Sequence, residues 1–207
     1  SRNGTIFENW QQGGLDPGDA GYEPGIGTHI TGGTQANGFD SSATNAPSAF
    51  TFNNTTQAWE NLSPTNATTL EPGKPVRLYI RGDRSVSLTT AGSLPTSTSL
   101  RSKGTLANGA VALSALSTTE GGFNFIANPY QAQIDLVSLL ADASTIDINP
   151  NLYYAWDPTI GTHGAYATYD FNLNTNNVAG SEVNQFLQPG QAIFIATAED
   201  GDVAGLS

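Results

Sequence analysis

The sequence predicts an all-β fold, β-sandwich-like or jelly-roll-like, with one or two short helices and long irregular loops. Three observations carry this expectation. Turn residues are dense, with 23 Gly and 11 Pro in 207 residues. Between the turns lie short runs that alternate apolar and polar residues or are rich in β-branched and aromatic side chains, the pattern of half-buried strands. Only one segment is too crowded with apolar residues for a half-exposed strand, so helix is the exception.

Taken in order, the predicted strands cover 5–10, 27–31, 49–53, 58–62, 76–81, 85–90, 99–106, 110–116, 122–127, 152–157, 165–171 and 192–198. Short strands spaced by turns indicate a sandwich or barrel. The predicted helix covers 134–141, with Asp135 placed to cap its N-terminus. Residues 11–48 are irregular, and Tyr22, Phe39 and Phe50 suggest that this stretch and its flank pack rather than stray. Pro72-Gly73 and Pro189-Gly190 each precede a strand, as type II turns with Gly at the positive-φ position. Trp10, Trp59, Trp156, Tyr154, Phe123, Phe125, Ile193 and Ile195 are the expected core, because each hides a large apolar area.

Two echoes suggest an internal relationship. The Pro-Gly turns are one, and Ile26-Gly27-Thr28-His29 against Ile160-Gly161-Thr162-His163 is the other. Their offsets differ, so there is no regular repeat. The expectation is a single β-rich domain over 1–207, open to division into two pseudo-related halves, 1–100 and 101–207.

Composition excludes several function classes. The net charge is −11, from 18 acidic and 7 basic residues. A phosphate backbone needs a basic face, so nucleic acid is not an expected partner. Charged residues make up 12% of the chain, against about a quarter in ordinary domains, and uncharged polar residues take their place. There is no cysteine, so neither a disulfide nor a thiolate metal site is available. No run of 18 apolar residues occurs, so membrane insertion by an apolar helix is not expected. The first residue is not methionine, which leads to the expectation that the chain is an excerpt of something longer.

Arg81-Gly82-Asp83 spells the tripeptide of many integrin ligands. It falls between two predicted strands, where Gly and Asp are ordinary turn residues, and Asp83 is placed to bond local amides or a neighbouring arginine. Six of the seven basic residues lie within 74–103. Arg77, Arg81, Arg84, Arg101 and Lys103 therefore form a candidate basic interface for an acidic patch on a neighbouring domain, or else pair with local acids. Asp16 and Asp19, and Asp200 and Asp202, offer oxygen ligands on Gly-containing loops and are weak calcium candidates. Neither pair fits the EF-hand pattern, so no cofactor is firmly expected. Only His29 and His163 occur, too few for a three-histidine zinc site.

Signatures of catalysis are missing: there is no nucleophile elbow, P-loop, dinucleotide fingerprint or His-Glu-x-x-His. A glycosidase pair of carboxylates would be invisible in sequence. Asp157 and Asp170 are the acids nearest aromatic residues, and turn capping is their ordinary role. Tyr153, Tyr154 and Trp156, with Tyr166 and Tyr169, could instead form the aromatic platform of a carbohydrate-binding module.

Several stretches together resemble a family of large surface proteins of the Bacteroidota. Gly121-Gly122-Phe123-Asn124-Phe125-Ile126-Ala127-Asn128-Pro129-Tyr130 followed by Ile134-Asp135 is similar to one of its motifs. Tyr153-Tyr154-Ala155-Trp156-Asp157-Pro158 resembles the following strand, and Leu187-Gln188-Pro189-Gly190-Gln191 the closing element. Arg81-Gly82-Asp83-Arg84-Ser85 resembles a strand–turn element of the same scaffold, and Glu8-Asn9-Trp10-Gln11-Gln12-Gly13-Gly14 its opening turn. The resemblance implies an extracellular, cell-surface, adhesin-like β-domain, often exported by the type IX secretion system, with no catalytic residues to carry over. Its implied partners are neighbouring domains of the same long chain, like subunits, or surface glycans. In that family another strand precedes the opening turn. Its absence here implies an open sheet edge that invites strand addition, as in a filament joined by strand donation.

Overall fold

The computed structural model describes residues 2–90, 92–111, 113 and 115–206. The chain folds into two compact units. Unit 1 comprises 1–51, 59–71 and 76–106, and unit 2 comprises 52–58, 72–75 and 107–207. The fold is all-β with two short α-helices and long loops.

In unit 1, strand β1 (Arg2–Asn3) is followed by helix α1 (Ile6–Trp10), then β2 (Ala49–Asn53), β3 (Ala58–Asn61), β4 (Arg77–Leu78) and β5 (Lys103–Gly104). β2 runs on into unit 2 at Phe52, and β3 begins there. Helix α1 replaces the strand expected at 5–10, and its cause is written in the sequence. Thr5-Ile6-Phe7-Glu8 is a capping box. Glu8 N donates to Thr5 Oγ1 (3.2 Å), and Thr5 N donates to Glu8 Oε2 (2.7 Å). Those two bonds satisfy donors that a helix start otherwise leaves orphaned.

Other expected strands shrink or vanish. The stretch 76–81 is a strand only at Arg77–Leu78, and 99–106 only at Lys103–Gly104. Residues 27–31 and 85–90 form none, because their backbone groups bond scattered backbone and side-chain partners instead of one strand: Gly27 N donates to Ser99 O (2.9 Å), Thr28 N to Trp10 O (2.8 Å) and Val86 N to Asp83 O (3.2 Å). Ile30 N donates to Asp40 Oδ2 (2.9 Å) and Ser85 N to Asp83 Oδ1 (3.1 Å). At 110–116, Ala112 and Ser114 lie outside the described residues, and the rest form no strand.

Ile6, Ile30, Phe39, Ala49, Leu62 and Leu70 form the core of unit 1, with Trp10, Val76 and Leu78 packed on it. Each large side chain hidden there is worth about 1.5–3 kcal/mol. The irregular stretch 11–48 thus packs through Ile30 and Phe39. Gly33 permits this: a Cβ there would stand 2.2 Å from Phe39 Cδ2.

Unit 2 adds β6 (Phe123–Ala127), β7 (Ile134–Asp135), helix α2 (Leu136–Leu140), β8 (Ile148–Asp157), β9 (Ala165–Asp170), β10 (Thr175–Asn176), β11 (Phe186–Leu187) and β12 (Ala192–Thr197). Asp135 caps α2 as expected, accepting from Val137 N (3.1 Å) and Ser138 Oγ (3.0 Å). A five-stranded antiparallel sheet runs β10-β9-β8-β12-β6. Period-2 alternation sorts its faces. Tyr153, Ala155, Tyr169, Ile193 and Ile195 point into the core, where Leu136 of α2 and Leu187 of β11 cover them. Tyr154, Trp156, Tyr166 and Phe194 occupy the alternate positions, hence the opposite face.

The Pro-Gly turns take the expected form, with Gly73 at φ 76° and Gly190 at φ 72°. Asn128, 3% exposed, anchors the second. Its Nδ2 donates to the carbonyls of Ala132 (2.8 Å), Leu187 (3.1 Å) and Gln188 (3.2 Å). Its Oδ1 accepts from Tyr130 N (2.9 Å), so one side chain ties the Asn-Pro-Tyr turn to the Leu-Gln-Pro-Gly-Gln turn.

The outer edge of β6 is occupied by side chains. Phe123 N donates to Gln57 Oε1 (2.7 Å), Gln57 Nε2 donates to Phe123 O (2.9 Å), and Phe125 N donates to Asn54 Oδ1 (2.9 Å). Two amides therefore bond this edge as a neighbouring strand would.

Candidate functional site

The strongest candidate lies on unit 2, where the sheet carries aromatic rings outward. Tyr166 of β9 stands opposite Trp156 of β8, with ring centroids 5.2 Å apart and planes at 78°. Tyr166 also reaches Phe194 at 5.8 Å, and Phe123 meets Tyr154 at 5.4 Å. Phe194 forms the floor, stacked on Phe125 at 4.7 Å. Phe194 and Phe125 are buried, whereas Trp156 (44%), Phe123 (42%) and Tyr166 (41%) remain exposed.

This arrangement divides the five predicted aromatics. Trp156 and Tyr166 are exposed and Tyr154 is half-buried on the outer face. Tyr153 and Tyr169 are buried on the core face and are corrected accordingly: their odd positions on β8 and β9 turn them inward. Tyr153 donates its hydroxyl to the Asn184 carbonyl, and burial raises its phenol above the ordinary value. The core expectation is corrected for Trp156 and Phe123, which are exposed, and holds for Phe125, Ile193 and Ile195.

Trp156 also borders an open groove of ≈ 820 Å³, whose other walls include Phe186, Glu182, Asn184, Gln188 and Gln191. Asp157 lies in its wall but is fully engaged. Its Oδ1 accepts from Thr159 N (2.8 Å) and Thr159 Oγ1 (2.6 Å), and its Oδ2 accepts from Ser181 Oγ (2.6 Å). The Ser181 and Thr159 bonds hold its carboxyl below the usual range, which suits a cap and not a proton donor. Asp170 likewise caps a turn, accepting from Asn172 N (2.8 Å) and Leu173 N (3.1 Å).

Phe186, Glu182, Asn184, Gln188 and Gln191 escaped sequence reasoning. Phe186 and Leu187 are adjacent apolar residues, so alternation says that they part but not which faces inward. The Pro-Gly turn between Gln188 and Gln191 reads as scaffold, although it is also what brings the two amides to one rim.

Unit 1 buries one of its arginines. Arg84 is 3% exposed. It donates to Asp40 in bidentate fashion, Nη1 to Oδ2 at 3.0 Å and Nη2 to Oδ1 at 2.9 Å, and also to Asp16 Oδ1 (2.8 Å) and the Gly14 carbonyl (3.1 Å). Asp40 Oδ2 accepts further from Gln11 Nε2 (2.8 Å), and Asp40 is matched on its other side by His29, whose Nδ1 stands 3.5 Å from Oδ1. Burial pushes the Asp40 carboxyl up, but His29, Arg84 and the Ile30 amide outweigh it and bring it to about 2. Arg84 therefore drops out of the predicted basic surface.

The remaining basic residues are placed as follows. Arg77 lies over Trp59 (5.1 Å) and Tyr79 (5.0 Å), and Arg101 pairs with Glu23 (2.8 Å). Arg81 and Lys103 are exposed.

Asp83 of the Arg-Gly-Asp run is 6% exposed. Its Oδ2 accepts from Gly25 N (2.7 Å), and its Oδ1 from Ser85 N (3.1 Å) and Thr96 Oγ1 (3.0 Å). A bond from the Ser85 hydroxyl, helped by those from Gly25 N and Thr96 Oγ1, outweighs burial and holds its carboxyl below the usual range. The carboxylate an integrin metal would need is thus used within unit 1. The flanking residues form a turn but not the predicted hairpin, because 85–90 is no strand.

Of the calcium candidates, Asp16 faces Arg84, Asp19 Oδ2 accepts from Asp16 N (2.9 Å), and Asp200 Oδ1 accepts from Glu120 N (2.8 Å). Asp202 is exposed. Among the described residues no three acidic or histidine side chains converge to hold a metal ion.

Unit 2 thus combines a β-sheet that has an exposed aromatic face with an open groove lined by both polar and apolar side chains. No protein-family model, curated protein or solved structure matches the chain.

Proposed function

We propose that the chain is a non-catalytic, adhesive domain of a secreted surface protein, and that it makes its contacts through the outer face of the unit 2 sheet. One observation carries this reading: Trp156, Tyr166 and Phe123 are exposed on one sheet face, each held against another ring. Large rings kept in water in one place mark contact surfaces, since scattered exposure would give no patch. They offer much contact area at little cost in conformational freedom. The resemblance to Bacteroidota surface proteins supports display outside the cell and export by the type IX route. The partners that follow are neighbouring domains, like subunits or surface glycans.

The deciding experiment measures adhesion of the intact chain, immobilised on beads, to protein-coated and glycan-coated surfaces, beside a Trp156→Ala/Tyr166→Ala double variant. Adhesion that falls at least roughly ten-fold in the double variant supports the reading. Absent adhesion, or equal adhesion by both proteins, overturns it.

A further inference from the structure

We propose that the groove beside Trp156 is a saccharide subsite that takes a neutral glycan chain. This rests on the adhesive reading above and deepens it by naming the ligand class. The walls combine what a sugar ring presents. An aromatic face suits the apolar C–H side of a pyranose, and Trp156 and Phe186 are two exposed rings bordering one groove. Hydroxyls both donate and accept, so a sugar site needs donors and acceptors together. Here Trp156 Nε1 and Gln191 Nε2 are donors, and the Glu182 carboxylate is an acceptor able to receive two hydroxyls. None of the three has a hydrogen-bond partner among the described residues.

The site is also held in shape before any ligand arrives. Gly164, at φ +78°, lies so close to Trp156 that a Cβ would stand 2.6 Å from Cζ2, and Tyr166 stands edge-on to the same indole. The indole is therefore fixed by backbone on one side and a ring on another. The rim is fixed too. Gln191 Oε1 accepts from Gln188 N (2.9 Å), which holds Gln191 across its turn and leaves the NH2 of the same amide to donate. Gln188 Oε1 accepts from Gln133 Nε2 (2.8 Å), and Asn184 Oδ1 accepts from Phe186 N (2.9 Å). A site with little left to order keeps more of its contact energy as affinity.

Charge selects among glycans. From Ala107 to Ser207 the chain carries ten Asp and Glu and no Lys or Arg. A uronate or sialate in this groove would meet Glu182 with no cation to offset it, at a cost that grows as water is excluded. A neutral chain meets no such penalty. The structure thus favours neutral over acidic glycans.

The test presents the intact chain to an array of neutral and acidic glycans, and then titrates the best binder by calorimetry against Trp156→Ala, Gln191→Ala and Glu182→Gln. The expected result is binding to at least one neutral chain, none to polygalacturonate, and an affinity reduced at least roughly ten-fold by Trp156→Ala. Glu182→Gln, at an exposed position, and Gln191→Ala, at a half-buried one that gives up a single bond to Gln188 N, weaken it several-fold. They carry the test if Trp156→Ala melts early. Trp59→Ala, in unit 1, leaves affinity unchanged. No neutral binder, a preference for acidic chains, or insensitivity to the rim variants overturns the proposal. If bead adhesion persists in any of those cases, the saccharide subsite alone is wrong. If adhesion fails as well, the adhesive reading falls with it.

Discussion

Gly164 and Trp156 are in backbone-to-ring contact: the position a Cβ would take at residue 164 lies 2.6 Å from the indole Cζ2 and 2.9 Å from its Nε1. The loop after β8 turns back on its own tryptophan, and only glycine lets it come so close. The same glycine has φ +78°, a conformation that other residues adopt at a cost.

Gly164→Ala should therefore fail on both counts. The alanine strains the backbone and pushes the indole off its seat. The expected loss is at least about 1 kcal/mol in urea unfolding. Tryptophan emission should shift to the red as the displaced ring gains water. An unchanged midpoint and an unchanged spectrum would show that the ring is not seated on residue 164.

Asn128→Ala removes three donated bonds to carbonyls and one accepted bond. Its partners Leu187 and Gln188 belong to the turn that shapes the groove rim. Leaving buried carbonyls unpaired costs about 1–3 kcal/mol each, and some regain water. We expect a total loss above about 2 kcal/mol. Asn128→Asp should be no better, because a carboxylate faces the same carbonyls with no protons to give. Amide exchange at Gly190 and Gln191 should quicken in both variants.

Asp40 gives unit 1 an acid-sensitive element. Its folded value, about 2, lies below the ordinary 3.8. A depressed carboxylate stabilises above the unfolded value and loses that contribution as pH falls through the folded one. About 2 kcal/mol is thus present at neutral pH and lost between roughly pH 4 and pH 2. Asp40→Asn should lack this component of the acid titration. It should also be less stable at pH 7 by at least about 2 kcal/mol, since it leaves buried Arg84 with only the exposed carboxylate of Asp16. Urea midpoints of both proteins from pH 2 to pH 7 provide the check.

Gln57→Ala combined with Asn54→Ala should uncover the edge of β6. Bare N–H and C=O groups on an edge strand recruit another strand. The expected outcome is a concentration-dependent increase in mass by light scattering, where the parent chain shows none. A variant with the mass of the parent would mean that other groups protect the edge.

Much of the fold was legible in sequence where the signal is local. Gly73 and Gly190 adopt positive φ because a Pro-Gly turn demands it, and Asp135 caps α2 because carboxylates bond the free amides of a helix start. The strands at 49–53, 122–127, 152–157 and 192–198 show the pleat in their alternation. The capping box at Thr5 and Glu8 is a local signal too, and it starts a helix where the apolar pattern alone points to a strand.

Tertiary structure decided the rest. Alternation separates Tyr153 from Tyr154 and Phe186 from Leu187, but which of each pair meets the core depends on what covers the sheet. Residues 27–31 and 85–90 have strand-like composition, yet their backbone bonds go to scattered partners, Ser99, Trp10, Asp40 and Ser48 for the first and Asp83 for the second, so no ladder forms. The Arg-Gly-Asp run shows the same division. Its sequence specifies a turn, while the burial of Asp83 depends on Gly25 and Thr96, brought to it by the folded chain. Residue type fixes which bonds a group can make; only the packed chain fixes which partners are within reach.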